Sequence, residues 1–347
     1  VWEIVRSRYG AGCALLTASG AGRDSPDITD KIGFTARAIA LQLQASRGVL
    51  FFDHIGLARV QTLLPRSLRR PYGIFLHSIE AWDPLSPNRL KALQGASVRI
   101  ANSHYTANRI ARAHPSVGPI DVCPLTLGLN LLDENPFSPP AAGTVQQEIV
   151  DKIAPNSVLI VGRIMKGERY KGHDELIRAW PRVVAEVPDA QLVIVGSGDD
   201  LDRLQAAARE SAVGSHILFT GFVSEETLRI LYERAAVFAM PSRAEGFGLV
   251  YLEAMSRRLP CIGSIHDAAV EVIVDGETGY LVDQDDPGDL AEKLVRLLKD
   301  PGLRKEFGRK GFERARSRFS LQQFQEGILK CLDKLSAVQT SVKGANG

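Results

Sequence analysis

The stretch that most restricts this chain is Pro241-Ser242-Arg243-Ala244-Glu245-Gly246-Phe247-Gly248-Leu249-Val250-Tyr251-Leu252-Glu253-Ala254-Met255. The apolar run Ala235 to Met240 before it reads as a buried strand, stopped by Pro241, which cannot continue a central ladder. Gly246 and Gly248 permit a tight turn, and Leu249, Leu252 and Met255 then recur at helical spacing. A strand that turns directly into a helix presents the first free N–H groups of that helix at the end of the sheet. Such a terminus favours an anion through its unpaired donors and its partial positive charge. Glu245 and Glu253 flank the turn, eight residues apart. A carboxylate can accept hydrogen bonds from two vicinal hydroxyls, so the pair suits a sugar and a ribose on either side of a phosphate. Read singly, such a glutamate is more often a capping acid or a solvated helix residue.

The string as a whole, E-x7-E within P-S-x-x-E-G-F-G-L-x-x-x-E-A-M, resembles the signature of glycosyltransferase family 4. That resemblance implies a retaining, nucleotide-sugar-dependent enzyme of GT-B fold: two Rossmann-like, doubly wound α/β domains facing a central cleft. The family's C-terminal helix crosses back to the first domain.

The periodicity along the chain agrees with alternating strands and helices, the pattern of parallel sheets covered on both faces. In the first part, helices are expected at Trp2–Tyr9, Phe34–Ser46, Leu85–Gln94 and Tyr105–Ala113. Strands are expected at Ala14–Thr17, Val49–Phe52, Tyr72–Leu76 and Val98–Ala101, and Asp121-Val122-Cys123-Pro124 finishes this part. Pro136, Pro139, Pro140 and Gly143 mark a linker with a short helix at Val145–Ile153. The later strands are expected at Ser157–Val161, Leu192–Val195, Ile217–Thr220, Ala235–Met240, Cys261–Ile262 and Tyr280–Val282. Helices Asp174–Val187 (spanning Pro181), Asp200–Ser211, Ser224–Arg234, Asp289–Leu298 and Leu303–Arg318 lie between and after them. This gives a first domain over 1–135, a linker over 136–156, a donor domain over 157–318 and a returning helix over 319–335. Family members open with a strand, a glycine-rich loop and a helix. Only the tail of that helix, Trp2–Tyr9, is expected here, so the first domain is expected to lack its first strand and that loop, with nucleotide binding intact and transfer weakened.

Other residues gain meaning beside the central stretch. Gly162-Arg163 follows one strand and Lys171-Gly172-His173 precedes a helix. Two cations bracketing a strand-to-helix loop suit a pyrophosphate, because charge-assisted hydrogen bonds contribute about 1.5–3 kcal/mol each. The resemblance implies that Arg163 and Lys171 clamp the donor diphosphate, although this loop is longer than in many members. Val195-Gly196-Ser197-Gly198 begins like a dinucleotide fingerprint but has Leu201 where a third glycine belongs, which leaves Gly196 as a close-approach turn lining the nucleotide cleft. Gly221-Phe222-Val223 offers backbone or an aromatic edge to the base, or a plain core phenylalanine. Gly246, Phe247, Gly248 and Leu249 complete the expected donor loop. His77 ends a first-domain strand, where open α/β sheets place ligand groups; by resemblance it is the catalytic-centre histidine facing the donor sugar. His54 and Asn102-Ser103-His104 end other strands and are weaker candidates, the latter for the acceptor side. The resemblance casts Glu245 on the sugar and Glu253 on the ribose.

Composition sets the outer limits. The formal net charge of +2 argues against a dedicated nucleic-acid binder, although 15 basic and 10 acidic residues fall before position 136. Arg66, Arg69 and Arg70 beside Leu63-Leu64 are compatible with peripheral contact at an anionic membrane and with a solvated face. No apolar run is long enough to span a bilayer, and four scattered cysteines without a C-x-x-C pair fit a reducing compartment. Cytoplasmic location, peripheral at the inner membrane face, is the expectation. Asp283-Gln284-Asp285 is a D-x-D, a metal motif in other glycosyltransferases, but capping and turn roles before Pro287 explain it without an ion. No metal and no cofactor are therefore expected. The partners are a nucleoside-diphosphate sugar and a hydroxyl acceptor. The alternatives are a GT-B nucleotide-sugar epimerase and a non-catalytic nucleotide-sugar-binding protein.

Overall fold

The computed structural model describes residues 1–18, 28–44, 48–128 and 144–344. The chain forms two compact units, one of Val1–Pro124 with the C-terminal residues from Gln322, the other of Leu125–Leu321.

In the first unit, strands β1 (Leu50–Phe52), β2 (Tyr72–Leu76), β3 (Val98–Ala101) and β4 (Asp121–Val122) form one sheet in that spatial order. All its pairings are parallel. β2 and β3 are buried at every position, as expected of strands covered on both faces. Around them lie helices α1 (Trp2–Tyr9), α2 (Ile28–Gln44), α3 (Ile55–Ala58), α4 (Pro87–Gly95) and α5 (His104–Ala113). The expected helical period of α2 appears as buried Phe34, Ala38 and Gln42, spaced by one turn. The expected strand at Ala14–Thr17 does not form: the segment is coil, and Leu15 is 54% exposed. Leu15 and Leu16, preceded by Ala14 and with Thr17 as the one β-branched residue of the segment, offer little surface to pack on a pleated sheet. Among the described residues this sheet has no reversal in strand order. The Gly/Asp/Ser-rich loop read from Ser19 falls largely outside the described residues.

The second unit begins with α6 (Val145–Asp151) and contains β5 (Ser157–Val161), α7 (His173–Glu186), β6 (Gln191–Val195), α8 (Leu201–Glu210), β7 (Ile217–Gly221), α9 (Glu225–Arg234) and β8 (Val237–Ala239). It continues through α10 (Leu249–Ser256), β9 (Cys261–Ser264), α11 (Ala269–Val272), β10 (Gly279–Val282), α12 (Pro287–Lys299) and α13 (Pro301–Arg318). The sheet order is β10-β9-β8-β5-β6-β7. The chain winds outward from β5 through β6 to β7, then returns to β5's other side with β8. The reversal therefore lies between β5 and β8, and in open α/β sheets ligands bind outside the strand ends at that point.

α7 shows why these helices form where they do. Asp174 and Glu175 stand in its first turn, where carboxylates complement the helix dipole. Leu176, Trp180 and Val183 bury one face, and Pro181 is accommodated within the helix. Asp286 caps α12 by accepting from Gly288 N, and Ser224 caps α9 by accepting from Thr227 N.

The units divide between Pro124 and Leu125, ahead of the 136–156 linker read from sequence. Leu127 is buried in the second core, and Thr126 Oγ1 donates to the Phe319 carbonyl at 2.6 Å. α6 is likewise part of the second unit, held by Arg234 donating to the Val150 carbonyl at 2.9 Å. Prolines 136, 139 and 140 lie outside the described residues. The final helix, α14 (Leu321–Gly344), packs in the first unit, where Phe324 stacks on Phe75 and Lys334 meets Asp121 at 2.6 Å.

Candidate functional site

The loops that leave β5 and β8 bring four ionisable side chains together beside the reversal point of the second sheet. The first loop runs from Gly162 to Gly172, with a 3-10 turn over Lys166–Lys171. Its start is laced to the turn after β6: Gly162 N donates to the Val195 carbonyl and Ile164 N to the Ser197 carbonyl, both at 3.0 Å. Gly196, at φ 143, passes so close that a Cβ would overlap the Gly162 carbonyl oxygen. Its glycine identity is thus explained by backbone approach between two loops.

Within this loop Arg163 pairs with Glu168, and Lys171 Nζ lies 3.9 Å from Glu168 Oε2. Lys171 Nζ also lies 3.8 Å from Glu245 Oε2, from the loop after β8. The Lys171 stem runs over Gly162, where an added Cβ would meet its Cδ at 3.3 Å. Arg163 remains 75% exposed, whereas Lys171 is 15% exposed. One cation faces solvent and the other is set between two carboxylates. Burial raises the Glu245 pKa, opposed by the Lys171 ammonium and reinforced by Glu168.

Glu245 is fixed through its backbone. Its N–H donates to Asp267 Oδ2 at 3.2 Å and its carbonyl accepts from Ala268 N at 3.1 Å. Asp267 is fully buried in the loop after β9 and also accepts from Ala269 N at 2.9 Å. Burial pushes its carboxyl up to about 8. Gly248, at φ 86, is the N-cap of α10. Tyr251 fills the space beside it and donates to the Met240 carbonyl at 2.6 Å, tying the helix to the end of β8. Gly246 and Phe247 are buried, Phe247 against Phe319, and Leu249 is 38% exposed at the first turn.

Glu253 lies on α10, accepting from Tyr232 Oη at 2.9 Å. Burial raises its pKa, opposed by that hydrogen bond. Phe222 is 82% exposed after β7, so it is no core residue. Val223 is buried, which leaves only its backbone to meet a ligand.

The D-x-D aspartates are engaged. Asp283 Oδ1 sits 2.8 Å from His266 Nε2, and Asp285 pairs with Arg243. His266, Asp283 and Asp285 could converge on one ion. The Arg243 guanidinium already neutralises Asp285, so the group reads as an ion-pair network, with Asp286 as a helix cap.

In the first unit, β1, β2 and β3 end on Asp53, His77 and Asn102. His77 Nε2 lies 3.0 Å from the Asp53 carbonyl oxygen and 3.2 Å from its Oδ1, and Asn102 Nδ2 donates to the His77 carbonyl at 2.6 Å. Burial works against the imidazolium, yet Asp53, with Glu80, raises the net pKa of His77. His54 instead accepts from Gly56 N at 2.8 Å as a helix cap, and Ser103 caps α5.

Sequence reasoning missed Glu168, Asp267, Tyr232 and Asp53. Only Glu168 carried a signal: an acid placed between the two cations of a loop read as anion-binding.

Residues 146–314 match the family described as glycosyl transferases group 1. They are a group 1 glycosyl transferase domain. Among similar curated proteins is a GDP-mannose-dependent alpha-(1-6)-phosphatidylinositol monomannoside mannosyltransferase of Mycolicibacterium smegmatis. It is 40% identical over 138 residues, covering 38% of this chain and 36% of that protein. The like-named protein of Mycobacterium tuberculosis is 30% identical over 214 residues, covering 59% and 54%. The chain thus spans between about a third and about half of these relatives' length. Among solved structures, sucrose-phosphate synthase from Thermosynechococcus elongatus superposes with a TM-score of 0.73 at 24% identity, covering 92% of this chain and 82% of that one. Anabaena HepE, in complex with UDP and glucose, does so with 0.70 at 20%, covering 87% and 81%. At such identities the likeness establishes the fold, which is that of GT-B glycosyltransferases. The group 1 domain contains Arg163, Lys171, Glu245 and Glu253, and lies within the second unit. No helix among the described residues is long and apolar enough to cross a membrane.

Proposed function

We propose that this protein is a retaining glycosyltransferase that moves a sugar from a nucleoside-diphosphate sugar to a hydroxyl acceptor. The observation that carries the reading is the meeting of Arg163, Lys171, Glu245 and the N-terminus of α10 at the reversal point of a parallel sheet. The difficulty in such a transfer is charge on the departing diphosphate. Two cations and a row of helical N–H groups stabilise that charge electrostatically, with no reorganisation at the moment of reaction. Glu245, half-buried beside Lys171, is placed to accept from sugar hydroxyls, and Glu253 from the ribose.

In the front-face route, the bond from the anomeric carbon to the phosphate oxygen breaks as the acceptor oxygen bonds to the same face. The acceptor's proton passes to the departing phosphate oxygen, so no carboxylate serves as nucleophile. His77 carries over by resemblance as the histidine that orients the sugar, and Asp53 fixes its ring. The similar mannosyltransferases favour GDP-mannose as donor and an inositol-containing glycolipid as acceptor. Such an acceptor would bring the enzyme to a membrane surface peripherally, on the cytoplasmic side.

A panel of GDP-, UDP- and ADP-sugars tests the reading, with thermal shift, donor hydrolysis and transfer to phosphatidylinositol mannoside in vesicles, each with and without EDTA. The expected result is a shift and EDTA-resistant turnover with GDP-mannose. Conversion of a nucleotide sugar without any acceptor would favour an epimerase, and a shift without turnover a binding protein. No response to any nucleotide would refute the proposal.

A further inference from the structure

The two clamp cations are already occupied by a carboxylate of their own loop. Glu168 pairs with Arg163 through Oε1, and its Oε2 faces Lys171 Nζ at 3.9 Å. Oε2 is buried and makes no hydrogen bond, so one half of this carboxylate is held between cations without a donor. A buried acceptor left in that state is unfavourable and persists where the surroundings dictate it.

Those surroundings are rigid on both sides. Arg169, the next residue, grips buried Asp200 with bonds of 2.8 and 2.6 Å. Lys166 N donates to Asp199 Oδ1 at 2.8 Å, and Glu168 N to the Met165 carbonyl at 2.8 Å. The 3-10 turn kinks at Glu168 itself. The loop thus presents its acid to the cations and keeps it 13% exposed.

Arg163 and Lys171 are opposed by Glu168 and Glu245, so with all four ionised the site is neutral. A diphosphate carrying two or three negative charges gains little from a neutral site. It gains strongly if one carboxylate leaves the cations as it arrives.

Resting on the nucleotide-sugar reading above, we propose that Glu168 is an internal stand-in for the donor's diphosphate. It neutralises Arg163 and Lys171 when the site is free, yields them to the incoming diphosphate, and takes them back as the nucleoside diphosphate departs. The carboxylate thereby lowers affinity for the product and speeds its release. It also disfavours singly charged anions, which cannot compensate for displacing it.

The test is calorimetric titration of GDP, UDP and inorganic pyrophosphate into wild type, Glu168→Gln and Glu168→Ala, at low and moderate ionic strength. Both variants are expected to bind the preferred nucleoside diphosphate about fivefold more tightly or better, the scale of one partly buried charge. Their salt dependence should be steeper and their product inhibition stronger. Glu168→Asp keeps the charge but draws it back by one methylene, and should fall between; it serves if the neutral variants fold poorly. Unchanged affinity in folded variants would overturn the exchange. Weaker affinity would also overturn it, since Glu168 would then be holding Arg163 in its phosphate-binding position. A wild-type chain that binds neither nucleoside diphosphate nor pyrophosphate refutes the nucleotide reading and the exchange with it. A wild type that binds, with variants no tighter, refutes the exchange alone.

Discussion

Gly248→Ala is the substitution that most sharply joins local geometry to function. The residue caps α10 at φ 86, a region that an L side chain enters at a cost of about 1–3 kcal/mol. An added methyl would also stand 2.5 Å from Tyr251 Cε2. Tyr251 is fully buried, packed edge-on against Phe238, and held by its bond to the Met240 carbonyl, so the ring has nowhere to turn. Overpacking of this kind adds about 1–3 kcal/mol, and the backbone can relieve it only by moving the first turn of α10. The whole loss should be about 2–6 kcal/mol in the second unit. Trp180 is fully buried there, whereas Trp2 and Trp82 lie in the first unit. Urea unfolding followed by fluorescence in a Trp2→Phe, Trp82→Phe background therefore reports the relevant unit. Nucleoside diphosphate affinity should fall with stability, because the helix terminus proposed to bind the phosphate is displaced. A loss below about 0.5 kcal/mol, with affinity unchanged, would refute the claim that this glycine is required by the turn.

Two further outcomes are expected. Glu253→Ala should weaken binding of the free nucleoside diphosphate, whereas Glu245→Ala should chiefly lower turnover; equal losses of affinity in a titration of both would remove the division of roles. Asp267 has a folded pKa near 8, well above its ordinary value of 3.8, so the folded state holds a proton that the unfolded state has lost between those limits. Stability from this group is present below pH 4 and declines as pH rises toward 8, the sign required when the native state binds more protons. Melting temperatures of wild type and Asp267→Asn should therefore diverge in the variant's favour from pH 4 to 8, and parallel curves would contradict the burial argument.

The sequence made the second unit more legible than the first for a physical reason. Its strands are contiguous apolar runs buried on both faces, such as Val158–Val161 and Leu192–Val195, and each is followed by a helix with a clear period. Arg163, Lys171 and Glu245 stood in loops between such runs, so topology alone brought them near one another. The partners that set their chemistry were not legible in the same way. Asp267 reaches Glu245 across 22 positions, Tyr232 reaches Glu253 across 21, and Asp53 reaches His77 across 24. Such contacts depend on strand order, which local periodicity does not encode. The contact division at Pro124 has a related cause: Leu125 and Leu127 join the second core through packing, a long-range effect that the prolines of the linker stretch do not report.

Arg163, Lys171 and the terminus of α10 are proposed to recognise a diphosphate together. The most direct measurement compares GDP with guanosine by calorimetry in wild type and in Lys171→Ala. Guanosine carries the base and ribose without the phosphates, so the difference in binding free energy isolates the clamp. Losing one charge-assisted contact of about 1.5–3 kcal/mol should weaken GDP by about tenfold or more and leave guanosine unaffected. Equal weakening of both ligands, or no weakening of either, would contradict it.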